Sequence, residues 1–156
     1  MNAVDIKNLV KIYDNKFQAL NKINLSIPKG SFFGLLGPNG AGKTTTIGIL
    51  TGLVNKTSGS AKVFGYDTIN QFREARTMIG LSPQELNFDV FFTIEELLTL
   101  QAGYFNKDKK EAKRRALEML EYFNLTDKRK SKARELSGGM KRRVQIAKAF
   151  IHDPPL

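Results

Sequence analysis

Apolar and polar residues alternate loosely with period two over residues 4–12 and again in Ile23-Asn24-Leu25-Ser26-Ile27, which predicts two half-buried strands of an antiparallel sheet. Pro28-Lys29-Gly30 then reads as a turn. The next apolar run, Phe32-Phe33-Gly34-Leu35-Leu36, is continuous rather than alternating, the pattern of a strand covered on both faces in a parallel sheet. A glycine-rich loop follows it. Residues 43–51 read as a helix with Ile47 and Leu50 turned inward and Gly52 as terminator. Strand, glycine loop and helix in that order make an α/β unit.

Residues 61–64 and 78–81 predict further strands separated by a helical stretch over 70–76, and the second strand runs into Ser82-Pro83-Gln84. The texture then changes. Thr93-Ile94-Glu95-Glu96 has the spacing of a capping box, so a helix starts there with Ile94, Leu97 and Leu98 inward. A second helix is expected over about 109–123, burying Ala116, Leu117, Leu120 and Phe123. Residues 88–135 thus read as a mostly helical insertion after an α/β start.

Composition narrows the class. At 156 residues, 41% apolar and 26% charged, the chain suits one globular domain with a real core. It has no cysteine, which removes disulfides and thiolate metal sites and suits a reducing cytosol. No run of eighteen apolar residues occurs and the start has no signal-peptide pattern, so the expectation is a chain that does not cross a membrane by itself. The net charge of +10 is local: residues 105–148 carry fifteen Lys or Arg against six Asp or Glu. That stretch suits a polyanion or an anionic membrane face, or simply a solvated helical surface, since its charges alternate with helix-spaced apolar residues.

The chemistry is concentrated in Gly37-Pro38-Asn39-Gly40-Ala41-Gly42-Lys43-Thr44, which fits G-x-x-x-x-G-K-[ST] between a predicted buried strand and a helix. Glycines let successive N–H groups approach phosphate oxygens, and the helix start adds its positive end. Lys43 is placed for the β and γ phosphates and the Thr44 hydroxyl for Mg²⁺, with Thr45 as a further donor. This motif alone leaves kinases, small GTPases, helicases and transport ATPases open.

A second motif, Leu136-Ser137-Gly138-Gly139-Met140, opens a helix with Met140, Val144, Ala147 and Ile151 on one face and Lys141, Arg142, Arg143, Gln145 and Lys148 elsewhere. It reads either as a capped helix start or as a second anion site made by a serine and bare N–H groups.

Taken together, GPNGAGKTT, LSPQ and LSGGM resemble the Walker A, Q-loop and signature sequences of an ABC-type nucleotide-binding domain. TGLVNKTSGSAKVFGYD and HDPPL resemble its connecting stretches, most like those of bacterial ATP-binding subunits of export systems. The resemblance covers the whole chain and matches the first two-thirds of such a domain. It implies an α/β P-loop NTPase (RecA-like) core with an N-terminal antiparallel β subdomain and a helical subdomain, divided as residues 1–87, 88–135 and 136–156, with the sheet incomplete.

The resemblance also implies a dimer with two ATP molecules and Mg²⁺ between protomers, and a separate membrane permease as partner. The chain would then be cytoplasmic and peripheral on the inner face of the membrane. By position, Tyr13 would stack on adenine and Gly37, Pro38, Asn39, Gly40, Ala41, Gly42, Lys43, Thr44 and Thr45 would hold ATP. Thr44 and Gln84 would serve Mg²⁺, Gln84 also approaching the attacking water. Ser137, Gly138 and Gly139 would meet the ATP of the second protomer. Met140 departs from the glutamine common there.

The family's Walker B aspartate and the glutamate after it belong to a strand that would start after Leu156, so neither stands in these 156 residues. His152, before Pro154, does not match the switch histidine and is expected to have no catalytic role. The expectation is an ATP-binding transporter subunit of which this chain binds Mg·ATP weakly and hydrolyses it hardly at all, and in which Phe32-Phe33-Gly34-Leu35-Leu36 lacks parallel neighbours and leaves apolar faces uncovered. The alternatives are a non-transport protein of the same type acting on ribosomes or nucleic acid, for which the basic stretch is the only support, or a nucleotide binder without function.

Overall fold

The computed structural model describes residues 1–86, 88–89 and 91–156. Asn87 and Val90, which flank the expected boundary between residues 87 and 88, lie outside the described residues. The chain divides into two compact units, residues 1–79 with Leu156, and residues 80–155, so the expected subdomain 88–135 and the signature helix fall in one unit.

In the first unit, β1 (Asn2–Ile12), β2 (Gln18–Pro28), β3 (Ser58–Val63) and β4 (Tyr66–Asp67) form an antiparallel sheet in the order β2-β1-β3-β4. Val4 lies opposite Ile27 and Val63, and Ile6 opposite Leu25 and Ala61, so the apolar residues of β1 gather on one face. Strict alternation after Ile6 would turn Leu9 to the other face. A register shift between Ile6 and Leu9, with Asn8 at φ 47 and its amide held by Asn24 Oδ1 at 2.9 Å, returns Leu9 to the core.

Helix α1 (Lys43–Leu50) packs against this sheet through Ile49, with Leu50 half-buried, while α2 (Phe72–Thr77) follows β4. Ile47, expected inward, is exposed. The buried positions are Thr46, Gly48 and Ile49, and Gly48 admits Val54 so closely that a Cβ would lie 2.7 Å from Val54 Cγ2. Gly52 does end the helix, at φ 72 with its amide on the Ile49 carbonyl.

Two expected strands are absent. Residues 31–37 form no strand, and Phe32 and Leu36 are 106% and 92% exposed. Residues 78–81 form none either: the amides of Met78 and Ile79 close the last turn of α2 on Ala75 and Arg76. An apolar run becomes a strand only where a neighbour completes its ladder, and among the described residues neither run has one. The sheet is accordingly open.

The second unit is helical, with α3 (Ile94–Gly103), α4 (Lys109–Tyr122) and α5 (Gly138–Phe150), and two short 3-10 turns at Thr126–Lys128 and Ala133–Glu135 between α4 and α5. Its core joins Ile94, Leu98, Ala116, Leu120, Val144 and Ile151 from all three helices, with Leu117 and Phe123 packed at its edge. The expected capping box is present at Thr93: its hydroxyl accepts from the Glu96 amide, and Glu96 accepts from the Thr93 amide at 2.8 Å. The start of α3 is further tied to the loop between the two 3-10 turns by Ile94 N–H to Ser131 O and Glu95 N–H to Arg129 O, both 3.1 Å. The buried Glu95 carboxylate faces Lys130 at 3.3 Å and Arg129 at 3.8 Å.

Candidate functional site: a phosphate-binding loop and a capped basic helix

The loop 37–45 is built around the start of α1. Gly42 is the N-cap, at φ 84, and its carbonyl accepts from both the amide (2.8 Å) and the hydroxyl (2.9 Å) of Thr46, which lock the first turn. A side chain at Gly42 is excluded twice over: φ is in the left-handed region, and a Cβ would lie 2.8 Å from the carbonyl oxygen of Ala19. β2 thus presses directly on the loop's last glycine. Gly40, also at φ 84, faces open space, with nothing within 4 Å of the point a Cβ would occupy.

Lys43 folds back over the loop, donating to the carbonyls of Gly37 at 2.6 Å and Pro38 at 2.7 Å. The Pro38 carbonyl also accepts the Ala41 amide at 3.2 Å, closing a turn around Asn39 and Gly40. Lys43 is therefore held over the loop by neutral carbonyls, and a charged phosphate oxygen is the stronger partner for its ammonium. Thr44 is exposed and Thr45 half-buried.

Tyr13, just past β1, belongs to the same neighbourhood. Its hydroxyl lies 3.3 Å from Thr45 Oγ1, Lys11 Nζ sits 4.7 Å from its ring centroid, and the tight turn after it is closed by Tyr13 N–H to Phe17 O at 2.9 Å. The residue is 36% exposed beside the loop.

The donor set fits a nucleoside polyphosphate with a hard cation. It offers an ammonium, threonine hydroxyls and a helix start, and among the described residues no cluster of three or more His, Asp or Glu could hold a metal on its own. Such a site suits Mg²⁺, which takes few protein ligands and bridges to phosphates.

The second unit carries Gln84 and the serine-glycine motif. Ser137 is the N-cap of α5, its hydroxyl accepting the Met140 amide at 3.3 Å, so one of the N–H groups expected to be bare is capped. Ser137, Gly138 and Gly139 are exposed. As expected, Met140, Val144, Ala147 and Ile151 face the core and Arg142 points away from it. Gln145, also expected off the apolar face, is instead 5% exposed.

The reason lies in residues 83–85. Arg142 Nη1 donates to the Pro83 carbonyl at 2.7 Å and lies 3.5 Å from that of Gln84, and Gln145 Nε2 donates to the Glu85 carbonyl at 2.7 Å. The backbone around Gln84 is therefore held by α5, while the Gln84 side chain is exposed. Sequence reading missed both holders. Their only signal is the spacing of three, one helical turn, which names no acceptor.

His152 stacks on Phe105 with ring centroids 3.5 Å apart and planes 4° from parallel, a packing position in the helical unit. The basic stretch is partly internal: Arg115, Arg142 and Arg143 donate to backbone carbonyls. Burial leaves Lys148 below the ordinary lysine range.

A family model described as ABC transporter matches residues 20–156. The chain is 43% identical over 150 residues to the linearmycin resistance ATP-binding protein LnrL of Bacillus subtilis (strain 168), covering 96% of this chain and 48% of that protein. It is 39% identical over 151 residues to Nod factor export ATP-binding protein I of Burkholderia orbicola (strain AU 1054), covering 97% of this chain and 49% of that protein. The chain thus spans about half the length of the curated relatives it matches. Among solved structures, it is similar to an ATP-binding subunit of an ABC transporter, with TM-score 0.83, 29% identity, 97% of this chain and 63% of that one. It is equally similar, at TM-score 0.83 and 30% identity, to a dimeric ATP-binding cassette in a post-hydrolysis state bound to ADP and Pi, covering 97% of this chain and 70% of that one.

Proposed function

Since the chain belongs to the ABC transporter family of ATP-binding domains, we propose that it is the ATP-binding part of a transporter subunit, coupling nucleotide binding to a separate membrane permease. The observation that carries this reading is the loop itself, with Lys43 held over Gly37 and Pro38 beside an exposed Thr44. In this reading Lys43 and the loop amides bind the phosphates and Thr44 completes the Mg²⁺ shell. Tyr13 stacks on the base, and Gln84 approaches the metal and the attacking water. Ser137, Gly138 and Gly139 meet the ATP held by a second protomer, so the working form is a dimer. No helix among the described residues is long and apolar enough to cross a membrane. In this reading attachment to the inner face is through the permease. The relative named for Nod factor export favours outward transport.

Bound Mg·ATP supplies the reactive phosphoanhydride. Cleaving it requires a positioned water, and these 156 residues offer Gln84 without the family's Walker B carboxylates. We propose that these 156 residues, taken alone, bind Mg·ATP weakly and release phosphate hardly at all. Titration with a fluorescent ATP analogue, with Lys43→Ala alongside, tests the binding: wild-type saturation and loss of at least tenfold in affinity in the variant are expected. Equal affinity in both overturns the reading. Phosphate release at the rate of a full-length relative overturns the turnover claim alone.

A further inference from the structure

The residues around Gln84 belong to no helix or strand, yet three consecutive carbonyls there converge on one turn of α5. Arg142 takes Pro83 and Gln84; Gln145 takes Glu85 through its amide and accepts from Arg142 at 3.2 Å through its carbonyl. Gln145 is buried, so its amide loses water on folding and depends on these partners. Arg142, though exposed, donates to the backbone of an irregular segment 59 residues away.

We propose that Arg142 and Gln145 are positioning residues for Gln84, making the signature helix and the glutamine loop one mechanical piece. This rests on the reading of Ser137 and Gln84 given above and goes beyond it. Ser137 lies five residues before Arg142, about 7.5 Å along the helix axis at 1.5 Å per residue. A ligand that draws in the N-terminus of α5 therefore carries residues 83–85 with it, and by linkage a displacement of Gln84 acts back on Ser137. Neither Arg142 nor Gln145 needs to touch nucleotide to do this.

The chain has no cysteine, so a single introduced thiol reports one position cleanly. Gln84→Cys carrying a nitroxide is expected to give a restricted spectrum. Adding Arg142→Ala, or Gln145→Leu, is expected to mobilise that label, while a label at exposed Lys113→Cys on α4 stays unchanged. Loss of restriction at both positions marks Arg142 as a general stabiliser and overturns the proposal, as does an unmoved label at position 84. In unlabelled chains, Arg142→Ala and Gln84→Ala are each expected to weaken Mg·ATP-analogue binding several-fold and the double variant no further, with Arg142→Lys recovering part of the loss. Multiplying effects overturn the proposal. Should neither wild type nor Lys43→Ala bind nucleotide, the proposed function fails, and the spin labels still decide whether α5 positions Gln84.

Discussion

Arg115, from the first half of α4, donates through Nε to the carbonyl of Ile151 at 3.2 Å, just past the end of α5. Its Nη2 reaches the Phe150 carbonyl at 3.3 Å and Asp153 at 2.5 Å. In return Arg143, from the first half of α5, donates to the Phe123 carbonyl at 2.8 Å, at the end of α4. Each helix thus donates to carbonyls at the other's C-terminal end, which is also the negative end of its dipole, and the two run antiparallel.

Removing one of these caps should be costly, because the Arg115 side chain is only 11% exposed and the Ile151 carbonyl would lose its donor, while that of Phe150 keeps the Asp153 amide. Arg115→Ala is expected to lower stability by about 2 kcal/mol, read as a shift in the urea unfolding midpoint by circular dichroism. Arg115→Lys should recover less than half, since an ammonium cannot span the Ile151, Phe150 and Asp153 acceptors from one planar group. A midpoint unchanged in Arg115→Ala would show the cap to be dispensable.

Thr93 offers a smaller and more local test. Its hydroxyl both accepts the Glu96 amide and donates to Glu96 Oε2 at 2.8 Å. Thr93→Ala is expected to cost about 1 kcal/mol and Thr93→Ser close to nothing, by the same unfolding measurement.

That cap was legible in the sequence because its partners are three residues apart. So were β1, β2, the buried faces of α3 to α5 and the turn at Gly52, all set by local spacing. Phe32-Phe33-Gly34-Leu35-Leu36 was legible as an apolar run without parallel neighbours, but the strand expected there does not form, because what completes a ladder comes from distant chain and leaves no mark in the strand's own pattern. Ile47 failed for a finer reason: Thr46, Gly48 and Ile49 carry the packing, and a threonine and a glycine do not announce a buried face. At the site, the loop residues follow from a motif, whereas the hold of Arg142 on Pro83 joins residues 59 apart and has no local signature.

Three carboxylates contribute to the acid response. The amide and then the hydroxyl of Thr93 hold Glu96 below the usual carboxylate range, and a hydrogen bond from Arg115 does the same for Glu118. For Asp67 burial pushes upward, but the amides of Asn70 and Ile69, with Lys56 and Lys62, outweigh it and leave the group low. A lowered folded value means that the carboxylate's contribution is complete above its ordinary value, 3.8 for Asp67 and 4.5 for the glutamates, and is lost as pH falls through the folded value. Melting temperature should therefore be level with respect to these groups near pH 6 and fall below pH 4.5. In Glu96→Gln, which has nothing to protonate there, the fall should be shallower; an identical acid limb would refute this assignment.

Gly42 and Gly40 share φ 84 but differ in surroundings, which separates backbone strain from collision. Gly40→Ala meets strain alone, about 1 kcal/mol. Gly42→Ala adds a collision with the Ala19 carbonyl and Leu20 side chain, so β2 or the start of α1 must shift. The expected order is a clearly lower melting temperature for Gly42→Ala than for Gly40→Ala, with nucleotide affinity lost in the former. Equal melting of the two would mean that β2 does not press on the loop.

The run at Phe32 and Leu36 yields a prediction of opposite sign, in which substitution leaves stability alone and improves behaviour in solution. Both side chains are almost wholly exposed and contribute no burial to the fold. Phe32→Ser with Leu36→Ser should thus change unfolding free energy by no more than about 0.5 kcal/mol. The same residues put adjacent apolar side chains and unladdered backbone on the surface, a template for association between chains. Sedimentation velocity across a concentration series should show wild-type chains associating and the double variant staying at lower mass. Association equal in both would place the sticky surface elsewhere, and a large loss of stability would mean that the run is covered in the folded chain.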